Sequence, residues 1–396
     1  MSLMREYIDR RLSGPELESE LLKLIALYNR LRNTYLFVYA AAIGKAVPFL
    51  PLEQADFYVF RDLLAAKKGS PSVDVYLQTP GGSGETAEEI VRFLHESFDT
   101  VSFVVSAEAK SAGTIMVLSG DEILMTETGS LGPIDAQVKI GRSVQSAYDY
   151  IEWVQDKRKE AEEQGRLNPF DATMVAQITP GELGSVLHAM NFAKDLVIQW
   201  LTEYKFRKWV VTETRKMPVT GEMRRKRAGE IADELANHSK WRLHGRSIKI
   251  HDLEQIGLKI TRLDDNPELA DLVYRIQTVS RLLFDNTTAF KIFATQDSKI
   301  FRQAILAGGP LMIPQKGAPN AVRIEQKCPA CGAVHKIYGK LSADPKIDHD
   351  LKKEGFVPFP NDAKIVCKCG FEMDLSGIKN EIEMKVGKKL LTDQKG

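Results

Sequence analysis

Two glycine-containing turns carry the residue types that acyl transfer requires. The first lies in "YLQTPGGSGETAEEI" (residues 76–90), where a predicted strand ends at Pro80 and a helix begins near Gly84. The second lies in "SAEAKSAGTIMVLSG" (106–120), where Ser111 stands between a buried strand and a helix. Glycine lets backbone N–H groups approach a bound group and point at it. Acyl transfer needs a nucleophile beside such donors, and the two turns together offer a hydroxyl and N–H groups.

Each turn taken alone has a simpler interpretation. An isolated Ser-Ala-Gly is most often a helix N-cap, and "TPGGSG" is an ordinary strand-to-helix turn. A phosphate loop is a poorer match, because the Lys-Ser/Thr ending is absent. One helix and one strand separate the turns, so they can lie side by side at the carboxyl edge of parallel strands. This pairing favours Ser111 as a nucleophile, with a helix N-terminus beside it that favours developing negative charge.

The elements around these turns predict an α/β fold. Apolar strands alternate with helices from residue 36 to about 135, which is typical of parallel strands with covering helices. Residues 4–33 predict an amphipathic helix, and residues 143–240 and 267–306 carry mostly helical patterns. Residues 306–321 are rich in Gly and Pro and predict a linker.

Several motifs in order resemble the Clp-fold serine peptidases. "TPGG", "AKSAGT" and "GSLGPIDAQ" (129–137) are similar to segments of the Clp protease proteolytic subunit, of signal peptide peptidase A and, most of all, of the serine dehydrogenase proteinase family. "WRLHGRSIKIHDLEQIGLKI" (241–260) resembles the segment that closes that domain, and the resemblance covers roughly residues 34–262. It implies a crotonase-like fold of stacked ββα units and assembly into a homo-oligomer.

The resemblance also implies roles for individual residues. Ser111 would be the nucleophile, and the backbone N–H groups of Gly82 and Ala112 would form the oxyanion hole. We assign substrate binding to their neighbours Gly81, Ser83, Gly113 and Asp135. Asp135 stands about where the Clp proteolytic subunit has its catalytic His, so that triad does not transfer directly. Asp135 instead orients a base, caps a turn or contributes to the substrate groove.

Two residues are candidates for the general base. Lys157, in "IEWVQDKRKEAEEQG", falls at the distance from Ser111 at which single-domain signal peptide peptidases carry a catalytic lysine. A lysine base requires that burial lower its pKa by ~3 units, whereas the charged surroundings indicate a solvated helix face. His244 matches a histidine of the serine dehydrogenase proteinase family and needs little pKa adjustment. Its alternative interpretation is a structural histidine in the loop before "SIKI".

The cysteines predict a structural zinc site near the C-terminus. Cys328 and Cys331 lie in "CPACG", and Cys367 and Cys369 lie in "CKCG". Each glycine-flanked pair can supply two thiolates to a tetrahedral ion, and zinc is the metal most often bound in this way. The CxC spacing is less usual, so His335 or His349 could replace a cysteine. The alternative is a group of reduced, metal-free thiols.

Composition restricts the partners and the compartment. Net charge is +1, from 54 basic and 53 acidic residues, so no overall field favours nucleic acid or a membrane. The first residues lack the apolar core of a signal peptide. Residues 35–52 are interrupted by Lys45 and Pro48 and do not form a membrane span. We expect a cytoplasmic protein, with nucleic-acid binding unlikely despite basic residues at 205–230.

These observations predict a chain of four segments. They are an N-terminal helical segment (1–33), a Clp/crotonase-like serine peptidase domain (34–265), a helical extension and linker (266–320) and a zinc-ribbon-like domain (321–396). The predicted activity is that of a serine endopeptidase, a hydrolase that cleaves polypeptides through an acyl-enzyme. No Walker motif is present, so any ATPase or adaptor would be a separate chain.

Two other functions remain open. A crotonase-type acyl-CoA enzyme would use the same N–H donors without needing a serine at position 111. An inactive Clp-fold scaffold would bind protein or nucleic acid through the zinc ribbon.

Overall fold

The computed structural model describes residues 2–47, 49–65, 69–140, 143–304, 320–386 and 389–391. The chain forms two compact units, defined by their residues. The sheet unit comprises residues 25–274 and 291–300, and the ribbon unit comprises the described parts of 1–24, 275–290 and 301–396. Residues 306–319 of the predicted linker lie outside the described residues.

A seven-stranded sheet forms the centre of the sheet unit. The strands in and around it are β1 (Tyr35–Ala41), β2 (Ser72–Gln78), β3 (Thr100–Val105), β4 (Glu108–Ala109), β5 (Glu122–Met125), β6 (Ser130–Leu131), β7 (Gln137–Ile140), β8 (Ser143–Ser146), β9 (Thr261–Arg262), β10 (Ala289–Ala294) and β11 (Lys299–Gln303). The order is β11-β10-β1-β2-β3-β5-β9. Strands β1, β2, β3, β5 and β9 pair in parallel, and β10 pairs antiparallel to β1.

The described α-helices belong to both units. They are α1 (Leu3–Asp9), α2 (Gly14–Arg32), α3 (Gln54–Ala65), α4 (Gly84–Ser97), α5 (Ala112–Leu118), α6 (Ala147–Gln164), α7 (Pro169–Val175), α8 (Pro180–Trp200), α9 (Gly221–Ala236), α10 (His238–Trp241), α11 (Ile250–Gln255), α12 (Pro267–Asn286), α13 (Pro345–Lys353) and α14 (Ser376–Val386). None of the described helices combines the length and apolar content that crossing a membrane requires.

A second, short sheet builds the ββα units that the sequence predicts. Strands β4 and β6 pair in parallel, and isolated bridges add Thr79 to Ala109 and Ile248 to Leu131. After β2 and β3, the chain therefore first joins this short sheet and then enters α4 or α5. The completely buried strand residues, such as Phe37, explain why these strands read as continuous apolar runs.

Two predicted helices differ from those observed. The helix predicted over residues 4–33 is divided into α1 and α2, because Ser13 and the Glu16 carboxylate form a new helix start with a 2.7 Å hydrogen bond. The helix predicted over residues 267–306 is correct to Asn286 and wrong beyond it, where β10 and β11 follow. Periodicity alone does not distinguish a short, fully buried apolar strand from a helix segment.

The ribbon unit contains small hairpins. Its strands are β12 (Ala321–Lys327), β13 (Val334–Lys340), β14 (Val357–Pro358), β15 (Lys364–Val366) and β16 (Glu372–Asp374). The pairs β12–β13 and β15–β16 are antiparallel, and a turn that carries one cysteine pair joins the two strands of each. The two cysteine pairs thus belong to the tips of two hairpins, as in a small zinc ribbon.

Candidate active site

Ser111 occupies a strained turn between β4 and α5. Its φ of 50° and ψ of −118° lie in a region that costs a non-glycine residue ~1–3 kcal/mol. Although Ser111 is at the N-cap position, its side chain makes no capping hydrogen bond to α5. A helix cap therefore does not account for this hydroxyl. A serine held on a strained turn ahead of a helix is instead the geometry of a nucleophile elbow.

The structure brings the two glycine turns together. The N–H of Thr79 donates to the Glu108 carbonyl at 2.8 Å, and the N–H of Lys110 donates to the Thr79 carbonyl at 3.0 Å. Gly81, with a φ of 102°, lies directly against Ser111, because a Cβ at Gly81 would stand 2.7 Å from the Ser111 Cβ. Glycine at position 81 is thus required both by its φ and by the approach of the serine.

Gly82 and Ala112 each present a backbone N–H that is available to a ligand. Leu52 fixes the first turn, since its N–H donates to the Gly81 carbonyl at 2.7 Å and its carbonyl accepts from the Ser83 N–H at 2.9 Å. This pairing leaves the Gly82 N–H directed away from Leu52. Within the described part of the chain, neither the Gly82 N–H nor the Ala112 N–H donates a hydrogen bond. These two donors belong to the turns that meet at Ser111.

Asp135 and His244 form a hydrogen-bonded pair. Nδ1 of His244 donates to one carboxylate oxygen of Asp135 at 2.8 Å, and Nδ1 of His238 lies 3.2 Å from the other. Burial alone would raise the pKa of Asp135, but the hydrogen bonds and charges of His244 and then His238 lower it below its ordinary value. The ionised carboxylate therefore fixes the orientation of His244 through Nδ1.

Lys110 connects the nucleophile turn to the segment that follows His244. Its ammonium donates to the Ser130 hydroxyl at 3.2 Å, the Leu131 carbonyl at 3.0 Å, the Arg246 carbonyl at 3.3 Å and the Ser247 hydroxyl at 3.0 Å. Its side chain is thus engaged by these four oxygens and not by Ser111. Burial lowers the pKa of Lys110 to about 8.

The Ser111 hydroxyl makes no hydrogen bond to His244 or to any other side chain in the described ranges. The short sheet joins Ala109 to Leu131 and Leu131 to Ile248, so it links the segment that carries Ser111 to the segment that follows His244. Catalytic hydrogen bonds are often long in substrate-free enzymes and tighten when substrate binds.

Lys157 has surroundings opposite to those that a lysine base requires. Its ammonium forms ion pairs with Asp171 at 2.7 Å and Glu160 at 2.8 Å on α6 and α7. The hydrogen bonds that Lys157 donates to Asp171 and then to Glu160 raise its pKa above the ordinary value. A general base needs a lowered pKa, so this side chain is held in its protonated form.

The remaining predicted substrate residues have local structural partners. The Ser83 hydroxyl caps α4 by accepting from the Thr86 N–H at 3.0 Å. Gly113 is buried, and a Cβ there would stand 2.4 Å from a methyl group of Thr79. His238 is a polar residue of this site that the sequence did not reveal. Its contact with Asp135 is long-range, and no local pattern marks it.

The four cysteines of the ribbon unit form one cluster. Sγ of Cys328 lies 3.7 Å from Sγ of Cys369, and Sγ of Cys331 lies 3.6 Å from Sγ of Cys367. All four sulfurs lie within 4.8 Å of one another. A tetrahedral ion with 2.3 Å bonds to sulfur requires sulfur separations of roughly 3.8 Å, far from the ~2.05 Å of a disulfide. The cluster can therefore hold a metal ion without His335 or His349.

Part of the chain matches a known protein family. Residues 44–166 match the family described as ClpP-like SDH-type serine proteinase. This match confirms the predicted resemblance and the predicted α/β fold class over that segment, and the family consists of serine proteinases, which are hydrolases. The matched segment includes Gly82, Ser111, Ala112 and Lys157 but ends before His244.

Similar sequences also occur in two uncharacterized proteins of Methanocaldococcus jannaschii. One is 33% identical over 90 residues, which are 23% of this chain and 31% of that protein. The other is 29% identical over 100 residues, or 24% of this chain and 34% of that protein. The chain spans about a third of the length of these curated relatives.

Among solved structures, the 1510-N membrane-bound stomatin-specific protease is similar in two forms. A serine-to-alanine mutant aligns over 56% of this chain and 79% of its own, at 14% identity and a TM-score of 0.32. A lysine-to-alanine mutant in complex with a substrate peptide aligns over 56% of this chain and 74% of its own, at 16% identity and a TM-score of 0.33.

Proposed function

We propose that this chain, which carries a ClpP-like serine proteinase segment, is a serine endopeptidase that uses Ser111 as its nucleophile. One observation carries the proposal. The strained Ser111 side chain does not cap its own helix and lies where the turns that hold the free N–H groups of Gly82 and Ala112 meet. A nucleophile beside two preorganised donors is the arrangement that acyl transfer requires.

The proposed reaction begins when Ser111 Oγ attacks a peptide carbonyl. Nε2 of His244 accepts the hydroxyl proton, and Asp135 stabilises the imidazolium that forms. The N–H groups of Gly82 and Ala112 stabilise the oxyanion, where the loss of one such donor typically costs about 10²–10³ in rate. The tetrahedral intermediate then collapses, and the leaving amine takes the proton from His244. Water, deprotonated by the same imidazole, hydrolyses the acyl-enzyme.

The choice of His244 over Lys157 rests on their surroundings. His244 is fixed by a buried carboxylate at 2.8 Å, whereas Lys157 is held protonated by two carboxylates. A general base must be free of its proton to act, which the two carboxylates around Lys157 oppose.

A fluorophosphonate probe tests this function. The full chain should form a covalent adduct on Ser111 and hydrolyse an unfolded protein such as casein, and Ser111→Ala should lose both activities. Circular dichroism should show the same fold for the variant. A Ser111→Ala chain that still cleaves casein, or that keeps full activity on an acyl-CoA thioester, would reject the peptidase proposal.

We also propose that the cysteine cluster holds a structural zinc ion. Four thiolates with sulfur separations near 3.7 Å suit zinc, and four protein ligands leave no open position for a reacting water. The ribbon would then be a rigid module for recruiting a polypeptide substrate or an adaptor. Assembly into a homo-oligomer and residence in the cytoplasm stay predictions of the sequence.

A further inference from the structure

A cavity lies at the edge of the main sheet opposite to the edge that carries Ser111. It has a volume of about 1200 Å³, and Ser72, Thr100 and Glu122 at the amino ends of β2, β3 and β5 line it. The glycine turn and the Ser111 turn follow the carboxyl ends of β2 and β3. At ~3.3 Å per residue, a strand such as β3 separates the two edges by about 20 Å. The cavity is therefore distinct from the proposed peptidase site.

The carboxylates of the cavity wall are mostly bound within the chain. Asp74 accepts from Arg32 at 3.2 Å and from Tyr28 at 2.6 Å. Glu122 accepts from Arg32 at 2.9 Å, and Asp121 pairs with Arg207 at 2.6 Å. Their negative charge is thus largely compensated before any ligand enters.

Several lysines of the same wall lack such partners. Within the described residues, the side chains of Lys205, Lys208 and Lys259 form no hydrogen bond and no ion pair, and among the lining carboxylates the Glu213 side chain likewise forms neither. Three free ammonium groups against one free carboxylate leave a surplus of positive charge. Such a surplus attracts an anion and lowers the cost of its desolvation.

A π-helical turn places Lys205 in this cavity. Helix α8 ends at Trp200 and continues as a π-turn over Leu201–Lys205, a rare conformation that is frequent at functional sites. Burial lowers the pKa of Lys205 to about 8, with Glu122 and Asp121 opposing the shift and Lys259 adding to it. An ammonium desolvated beside a second lysine is stabilised when an anion binds between them.

Aromatic side chains complete the wall. Phe206 and Trp209 follow the π-turn and line the cavity, with ring centroids 5.8 Å apart. Met217 and Met223 lie on the same wall and offer adaptable apolar contacts. Faces of this kind accommodate a planar ring beside the lysine cluster.

We propose that this cavity binds a phosphorylated small molecule with a planar ring, of the chemistry of a nucleoside diphosphate. Several lysine point charges suit a multiply charged phosphate better than a single carboxylate. The volume suffices for a molecule of this size, since ligand sites typically measure ~300–1,000 Å³. The site needs neither Ser111 nor the ribbon.

Calorimetric titration of the full chain with ADP tests the proposal. ADP should bind saturably, and Lys205→Met should weaken the affinity by ~10-fold or more, because a charge-assisted contact is lost. Lys159→Met removes a lysine that is 74% exposed on α6 and should bind as the wild type does. Ser111→Ala should also bind normally, so failure here and failure of the peptidase proposal are distinguishable.

Separate titrations with pyrophosphate and adenosine test the lysines and the aromatic side chains of the cavity independently. Each should bind more weakly than ADP, and ADP affinity should fall as pH rises through about 8, where Lys205 loses its proton. No ADP binding up to millimolar concentrations would overturn the proposal. So would a Lys205→Met variant of unchanged affinity and melting temperature, or adenosine binding as tight as that of ADP.

Discussion

Asp135 accepts a 2.8 Å hydrogen bond from Nδ1 of His244. The carboxylate side chain is 3% exposed, so the pair forms in a protected environment. Along the chain, the proposed nucleophile, orienting carboxylate and base occur in the order Ser, Asp, His. The same order is found in the triads of α/β-hydrolases, which shows that the roles depend on geometry and not on sequence position.

The two histidines on Asp135 should differ in their effect on catalysis. His244→Gln should lower kcat/KM for a casein-derived peptide by about 10²–10⁴, because proton transfer is lost. His238, whose Nε2 lies 3.2 Å from Asp149, already has both ring nitrogens in contact with carboxylates. His238→Gln should therefore change kcat/KM by less than about tenfold. Equal losses in both variants, or an unchanged His244→Gln rate, would contradict this assignment.

Gly82 should tolerate no side chain. Its φ is 146°, and a Cβ there would stand 2.3 Å from the Leu52 carbonyl oxygen and 2.4 Å from the Leu52 nitrogen. Gly82→Ala must displace the turn that carries the oxyanion donor, so kcat should fall by about 10² or more. Gly181→Ala is the matched control, because nothing lies within 4 Å of a Cβ there. Fluorophosphonate labelling rates for both variants measure the effect, and equal rates would count against the Gly82 donor.

The rate of peptide hydrolysis should decrease above about pH 8, because Lys110 loses its proton there. Burial lowers its pKa to about 8, so its charge and one of its N–H donors are lost as pH rises through that value. The contacts to Leu131 and Arg246 then weaken, and kcat should fall. Lys110→Met should be less active at pH 7 and should lack the alkaline limb. A wild-type profile that stays flat to pH 9.5, followed by peptide hydrolysis, would show that Lys110 plays no such positioning role.

The sequence located the turns of this candidate site and named Asp135 and His244 separately, but it did not pair those two residues. The segments around residues 79–82 and around Ser111 contain Gly, Pro or Ser close together. These residue types indicate turns from the sequence alone. Their adjacency followed from the rule that parallel strands bring their carboxyl ends to one edge. The pairing of Asp135 with His244 did not follow, because it depends on how Leu131 and Ile248 pair across the short sheet.

Burial explains the other differences between sequence and structure. Residues 289–294, "AFKIFA", are all buried, and Lys291 among them is inside the core beside Asp56. A lysine within an apolar run suggests the polar face of a helix, because the sequence does not reveal its distant carboxylate partner. Lys157 differs from Lys291, because it lies among charged residues and not in an apolar run. The sequence left open whether it is buried or solvated, and its ion pair with Asp171 depends on the position of α7.

The buried pair Lys291–Asp56 should be essential for stability. Both side chains are 0% exposed and lie 2.6 Å apart, and Lys291 also donates to the Pro51 carbonyl at 2.9 Å. Lys291→Met removes the cationic partner of the buried Asp56 carboxylate, which keeps hydrogen bonds from the neutral Tyr39 hydroxyl at 3.2 Å and the Glu53 N–H at 3.1 Å. The variant should lower the free energy of unfolding by about 3–5 kcal/mol. Lys194→Met, which removes a half-exposed ion pair with Asp233, should cost less than about 1 kcal/mol. Urea unfolding followed by tryptophan fluorescence reports the sheet unit alone, because all 4 tryptophans lie in it. Equal midpoints for the two variants would contradict the importance of the buried pair.

Removal of the proposed zinc ion should unfold the cysteine-bearing hairpins and leave the proposed peptidase activity unchanged. All four cysteines would hold the same ion. Cys367→Ser or treatment with a strong chelator should therefore remove one zinc ion per chain. A dye assay of released zinc measures the metal, and limited proteolysis should then cut the chain after residue 320. Tryptophan fluorescence and cleavage of a short peptide should stay unchanged, because neither the tryptophans nor Ser111 belong to the ribbon unit. Cleavage of casein should decrease if the ribbon recruits polypeptides. A purified chain without zinc whose ribbon resists proteolysis would show that the cysteines are reduced thiols.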